Sequence, residues 1–176
     1  MSGGAERRPA MSLEVVPVDL HDPLQAAAWL GLLDHYAHDP MGGGCGLSAY
    51  AKANLVREMA DFPIFHGALA FEGKNPVGLI NCFAGFSTFA AKPLLNIHDI
   101  VTQAERRAQG IGQALLGWAE QRARELGCCK LTLEVLSNNK RALASYERAG
   151  FAPYMLDPKA GQALFLQKYL SEANAP

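Results

Sequence analysis

The sequence predicts an α/β domain of the α+β kind: a mixed, mostly antiparallel sheet of about seven strands with about four helices packed on both faces. Three observations carry that expectation. Residues 64–71, 77–86 and 94–101 are apolar runs of strand length, with turn-forming residues between the first two, which is hairpin order. Residues 111–126 then change to helical period: Ile111, Leu115, Trp118, Arg122 and Leu126 recur on one side, and Gln113, Glu120, Gln121 and Arg124 face elsewhere. A further strand at 130–136 and a helix over 139–150 follow, so the sheet is mixed rather than a simple meander.

The elements before these runs have local signals of their own. Residues 13–18 read as a first strand, placed at a sheet edge because Pro17 cannot donate to a ladder. Asp22 caps a helix with Pro23 at its first position, where a missing N–H costs nothing. That helix carries Leu24, Ala28, Trp29, Leu32, Leu33 and Tyr36 toward a core and stops by His38, since Asp39 precedes Pro40. The glycine-rich stretch 39–46 is expected to be a mobile loop. Ser48 caps a second helix with Leu55, Val56 and Met59 apolar, ended by Phe62-Pro63. The turn Glu72-Gly-Lys-Asn-Pro76 joins the next two strands, and a final hairpin is expected from 151–156 and 162–169.

With 176 residues, 49% apolar and 19% charged, the chain suits one globular domain with an ordinary core. A net charge of −1 leaves no electrostatic footprint for nucleic acid or an anionic membrane. No stretch is long enough to cross a bilayer. Cys45, Cys82, Cys128 and Cys129 show neither zinc spacing nor a secretory framework, and adjacent Cys128 and Cys129 would point to opposite sides of a strand. The expectation is a cytoplasmic protein without a metal, with residues 1–10 disordered, 11–170 a single domain, and 171–176 a frayed tail.

The chemistry centres on Arg106-Arg107-Ala108-Gln109-Gly110-Ile111-Gly112-Gln113, between a strand and a helix. Glycines there let successive N–H groups turn outward at the positive end of a helix dipole, which suits a pyrophosphate. A dinucleotide fingerprint needs a third glycine where Leu115 stands, and a Walker loop needs Lys-Ser/Thr where Gln113-Ala114 stand. What remains, Arg107-x-x-Gly110-x-Gly112, resembles the acetyl-CoA signature (Gln/Arg-x-x-Gly-x-Gly/Ala) of the GNAT N-acetyltransferases. In the same order, Asn139-Lys-Arg-Ala142-Leu-Ala-Ser-Tyr146-Glu-Arg-Ala-Gly150-Phe151 is similar to that family's Asn-x-x-Ala…Tyr-x-x-x-Gly-Phe segment. The resemblance covers residues 65–169, and the element order agrees with the family's acyl-CoA N-acyltransferase fold.

The resemblance implies acetyl-CoA as cofactor and direct transfer of its acetyl group to a primary amine in a ternary complex. Residues Arg106, Arg107, Ala108, Gln109, Gly110, Ile111, Gly112 and Gln113 would hold the pyrophosphate, and the 39–46 segment would wall the acceptor site. Ile100 and Val101 would pair through their backbone with the pantetheine arm and polarise the acetyl carbonyl. Asn139 would bond the cofactor arm or order its helix start. Tyr146 shares a helix face with Asn139, Ala142 and Leu143 and would hand a proton to the departing sulfur.

The general base stays open among Glu134, Asp99 and His98. Alternation puts Glu134 with Thr132, away from Leu131, Leu133 and Val135, and puts Asp99 with Leu95, Ile97 and Val101 while His98 lies opposite. Each also has a plain structural reading: a solvated Glu134, an Asp99 that braces a turn or an arginine, a satisfied His98. Phe86-Ser-Thr-Phe89 with residues 96–101 is similar to a segment of small-amine acetyltransferases, which implies a small or polyamine-like acceptor. A CoA-binding sensor without turnover, another phosphate ligand at the turn, and a protein amine as acceptor are the competing readings. A homodimer is a further possibility, by pairing of an exposed strand such as the last hairpin.

Overall fold

A computed structural model describes residues 12–155, 157, 159, 161 and 163–170. The segments expected to be a disordered start (1–10) and a tail (171–176) lie outside the described residues. The elements run β1 (Leu13–Pro17), α1 (Pro23–Ala37), α2 (Ala49–Ala60), β2 (Phe65–Glu72), β3 (Asn75–Ser87), β4 (Lys92–Thr102), a 3-10 turn (Ala104–Arg106), α3 (Ile111–Glu125), β5 (Leu131–Leu133) and α4 (Lys140–Arg148). The sheet has the order β1-β2-β3-β4-β5. It is antiparallel from β1 to β4, and β5 joins β4 in parallel.

Local chemistry sets the ends of these elements. Asp22 accepts from the Leu24 N–H at 2.9 Å ahead of Pro23, and the Ser48 hydroxyl accepts from Ala51 N–H at 3.1 Å. β1 forms one edge of the sheet, as Pro17 requires. Leu24 is not a core residue; it is 82% exposed in the first turn of α1, outside the stripe that buries Ala26, Trp29, Leu33 and Ala37. No helix among the described residues is long and apolar enough to cross a membrane.

Alternation along the strands divides the core between the two sheet faces. Ala68, Ala70, Ile80, Cys82, Leu95 and Ile97 meet α3 through Ile111, Leu115, Leu116, Ala119 and Ala123. Leu69, Leu79 and Val101 meet α1 through Trp29, Leu32 and Leu33. The change of side within β4, from Ile97 on the α3 face to Val101 on the α1 face, marks a break in the two-residue period. Its cause is a bulge: Cys82 pairs with Ile97 and Asn81 with Asp99, which leaves His98 as the extra residue.

Among the described residues five strands stand where about seven are expected. β5 stops after three residues instead of reaching 136, and residues 151–155 and 163–169 of the expected last hairpin are irregular. Leu156 and Gln162 of that hairpin lie outside the described residues. Pro153 removes a donor from the first half, and without a ladder partner the second half leaves Leu164, Phe165 and Leu166 exposed. The strand offered for pairing across a two-fold axis is therefore not formed among the described residues.

The glycine-rich connector after α1, expected to be mobile, is braced. Asp39 accepts from Met41 N–H at 2.9 Å, Gly46 N–H donates to Ala37 O at 3.1 Å, and Asp34 holds Leu47 N–H and Lys52 Nζ at 2.8 Å each.

Candidate active site

The turn between β4 and α3 puts two left-handed residues close together, Ala108 at φ 63° and Gly110 at φ 88°. Glycine adopts that region freely, whereas an alanine there stores strain of about 1 kcal/mol, a cost typical of functional loops. Gly110 is the N-cap of α3 with no side-chain cap, and the first helical bond runs from Ala114 N–H to Gly110 O at 3.0 Å. The N–H groups of Ile111, Gly112 and Gln113 therefore have no acceptor in the helix. Among the described residues nothing accepts from the N–H groups of 108–113. A left-handed residue followed by helical ones is a backbone arrangement that can gather N–H groups around an anion, here at the helix dipole's positive end. A Cβ built on Gly112 would meet nothing within 4 Å, so the protein's own packing does not require a glycine there.

The side chains of the turn are mostly engaged elsewhere. Arg106 pairs with Glu72 at 3.1 Å, and Arg107 pairs with Asp39 on the connector after α1. Gln109 Nε2 donates to Glu105 O at 3.2 Å, and Gln113 Nε2 donates to Ser145 O and Oγ at 2.9 and 2.8 Å, tying α3 to α4. The outward chemistry of the turn is thus main-chain N–H backed by two arginines whose charge is shared with carboxylates.

Beside the turn the sheet opens. β5 pairs with β4 only at Leu95–Leu131, Asn96–Thr132 and Ile97–Leu133. From His98 to Thr102, β4 has β3 on one side and no strand among the described residues on the other. Ile100 and Val101 lie in this stretch with their side chains packed on opposite cores, which leaves the outer backbone edge for an extended ligand.

The bulge redistributes the three candidate bases. Asp99 does not share a face with Leu95 and Ile97; the extra residue turns it to the α1 face, with His98 beside it. There Asp99 Oδ2 accepts from Asn81 Nδ2 at 3.0 Å, and Asn81 Oδ1 accepts from Trp29 Nε1 at 2.7 Å. His98 is exposed, with its ring edge-on to Phe83 at 5.5 Å. Glu134, exposed just beyond β5, accepts from Asn96 Nδ2 at 3.4 Å through both oxygens, and Asn96 Nδ2 also reaches Thr132 Oγ1 at 3.1 Å. Tyr36, on α1, donates to Met41 O at 3.2 Å. Burial pushes its phenol above the ordinary range, and the charges of Asp99 and Asp39 add to the shift.

Tyr146 approaches from the other side. Its ring packs on the α3-face core, edge-on to Phe151 at 6.0 Å. Burial pushes its phenol up to about 12, and Tyr36, from the opposite face, adds to that. Two phenols on opposite faces feel each other here because β4 and β5 have already parted. Asn139 takes the structural one of its two expected roles: Oδ1 caps α4 by accepting from Ala142 N–H at 3.1 Å.

Two residues of this site, Asn81 and Tyr36, carry no site role in the sequence alone, and a third, Asp39, appears there without its partner. Asn81 is a lone amide within the apolar run Leu79-Ile80-Asn81-Cys82-Phe83, and that is the signal that marks it. Tyr36 reads only as an apolar position of α1. Asp39 reads as the residue before Pro40 and the start of the segment that walls the acceptor site, and nothing local announces its pairing with Arg107.

The model of the acetyltransferase (GNAT) family matches residues 30–151, a span that holds the turn, the bulge and Tyr146. The chain is 27% identical over 104 residues to thialysine N-epsilon-acetyltransferase of Caenorhabditis elegans, covering 59% of this chain and 64% of that protein. It is 41% identical over 75 residues to streptothricin acetyltransferase of Streptomyces lavendulae, covering 43% of this chain and 40% of that protein. The chain thus spans less than two thirds of the length of either relative. In three dimensions it resembles the ribosomal-protein-alanine N-acetyltransferase of Brucella melitensis biovar Abortus 2308, with TM-score 0.71, 16% identity, and 90% and 100% of the two chains covered. That likeness establishes the fold, and the family match over most of the chain, with an uncapped glycine turn beside a parted sheet, establishes the rest: the chain belongs to the acetyltransferase (GNAT) family.

Proposed function

We propose that the protein is an acetyl-CoA-dependent N-acetyltransferase that acts by direct transfer on the primary amine of a small or polyamine-like molecule. The observation that carries this reading is the parting of β4 from β5 beside an uncapped turn, with Asp99 and Tyr146 approaching from opposite faces. The main-chain N–H groups of 109–113 would bind the pyrophosphate, with Arg106 and Arg107 adding charge. The edge of β4 at Ile100 and Val101 would bond the pantetheine arm, and Asn139, whose Nδ2 amide has no partner among the described residues, would serve the same purpose. When bound, acetyl-CoA supplies the acetyl thioester.

The other chemistry belongs to the chain. A backbone N–H on the β4 edge, donating to the carbonyl oxygen as charge builds there, contributes about 3 kcal/mol. Asp99 takes a proton from the nitrogen as it attacks and becomes acidic, and Glu134 with His98 lines the amine's approach. Tyr146 donates to the departing sulfur. With its phenol near 12, it stays protonated at neutral pH. Because a free thiol titrates near about 8.5, full proton transfer from that phenol is uphill, so its contribution is a hydrogen bond to the thiolate.

The carboxylates of Asp99 and Glu134 suit a cationic amine, and the two relatives named above carry the names of small-molecule acceptors. The test is thiol release from acetyl-CoA across a panel of small amines, polyamines and peptides. Release with a small amine is expected. Saturable CoA binding with no release for any acceptor would instead support a sensor.

A further inference from the structure

We propose that Asn81 and Trp29 are positioning residues that fix the Asp99 carboxylate for acyl transfer, an inference that rests on the reading of Asp99 as proton acceptor. Asn81 is 2% exposed and Trp29 is 1% exposed. A buried amide inside an apolar face calls for a partner on each end, and this one has both. The indole N–H only donates, so it fixes the Asn81 oxygen toward α1 at 2.7 Å. The amide nitrogen must then face Asp99, which it meets at 3.0 Å. A flipped amide would leave the indole donor unpaired and set two oxygens against each other.

The consequence for Asp99 is a pinned rotamer. Oδ2 is held by Nδ2–H, and Oδ1 is left to take the proton. An apolar residue at 81 would continue the face formed by Leu79 and Val101 but would leave the buried Trp29 N–H unpaired and the Asp99 carboxylate unheld. The chain of bonds ties α1, β3 and β4 together at the residue that follows the bulge. The other titratable or charged groups around Asp99 are Tyr36 on α1, Cys82 on β3, His98 on its own strand, Asp39 paired with Arg107 on the connector, Glu134 beyond β5 and, through Tyr36, Tyr146 on α4.

Two variants test the proposal, with an amine found by the panel above. Asn81→Asp keeps the shape and the bond from Trp29 but sets a carboxylate against Asp99. It is expected to lower kcat by about 30-fold and to raise the acid limb of the pH profile by about one unit or more, with KM for acetyl-CoA within about twofold. Trp29→Phe keeps an aromatic ring in the core and frees the amide to flip. It is expected to lower kcat by about fivefold and to move the acid limb upward by a smaller amount. Melting curves and CoA binding show which variants are folded; if Asn81→Asp is not, Trp29→Phe alone is decisive.

Asp99→Asn separates the two readings. If it loses most of its turnover while the folded variants at 81 and 29 keep the parent kcat and pH profile, the positioning role is overturned and the reading of Asp99 stands. If Asp99→Asn turns over like the parent, the reading of Asp99 falls and the positioning role falls with it.

Discussion

The two faces of the sheet are built from the same strands and do different work. The α3 face is apolar: Ile80, Cys82, Leu95 and Ile97 meet Ile111, Leu115 and Ala119 with no buried polar side chain among the described residues. The α1 face begins the same way, with Leu69, Leu79 and Trp29, but then admits Asn81, Asp99 and Tyr36 at the point where β4 leaves β5. One face holds the sheet together. The other spends part of its core on polar groups whose hydrogen bonds hold a carboxylate in place. Stability and turnover should therefore separate by face, and substitutions can be chosen to break that separation.

The largest effect is expected on the α1 face. Asp99→Asn should reduce kcat by about a thousandfold, within the range of a lost general base, with little change in acetyl-CoA affinity. Steady-state kinetics with calorimetry for the cofactor checks both halves. On the α3 face, Leu115→Ala should cost about 3 kcal/mol of stability, read from urea unfolding, and leave kcat within about twofold. A large loss of kcat there would dissolve the distinction between the faces.

Gly112→Val sharpens the comparison at the end of α3. Because a Cβ at that position meets no protein atom within 4 Å, the melting temperature should hold nearly constant. CoA affinity should drop by about a hundredfold, the equivalent of two or more lost charge-assisted bonds. Tyr146 belongs to one face by packing and faces the other through the gap, so Tyr146→Phe should cost about tenfold in kcat with a smaller effect on stability.

The smallest effect is a pH dependence. The Tyr146 phenol stands near 12 in the fold against 10.0 as an ordinary value. The folded state thus keeps this proton more tightly, and the stability it contributes is present below about pH 10 and lost as pH rises toward about 12. Urea midpoints measured at pH 8 and pH 11 should show the decline, and Tyr146→Phe should reduce it, with the raised phenol of Tyr36 accounting for part of what is left.

The sequence made local features legible and hid those that depend on a partner strand. The turn at 107–112 and the segment from Asn139 to Phe151 are readable because conformation and chemistry there lie within a few residues. The caps Asp22 and Ser48 and the edge position of β1 are readable for the same reason. The bulge is not, since whether His98 is an extra residue depends on the bonds that β3 offers, and with it went the side on which Asp99 faces. The strand after Lys130 looked longer than it is, because Leu133, Val135 and Leu136 are apolar whether or not β4 accompanies them. Asn81 carried its signal openly, but an asparagine in a strand has a meaning only once both of its neighbours across the fold are known.

The extra residue at His98 also limits how this protein can diverge. Closing the bulge with every residue kept would restore strict alternation along β4, sending Asp99 to the oily side of the sheet with Leu95 and Ile97 and Val101 out from beneath Trp29. A lineage carrying this strand can vary the side chain at 98, or lose that one position and keep Asp99 opposite Asn81, but it cannot flatten the bulge with all its residues in place without turning the rest of the strand inside out.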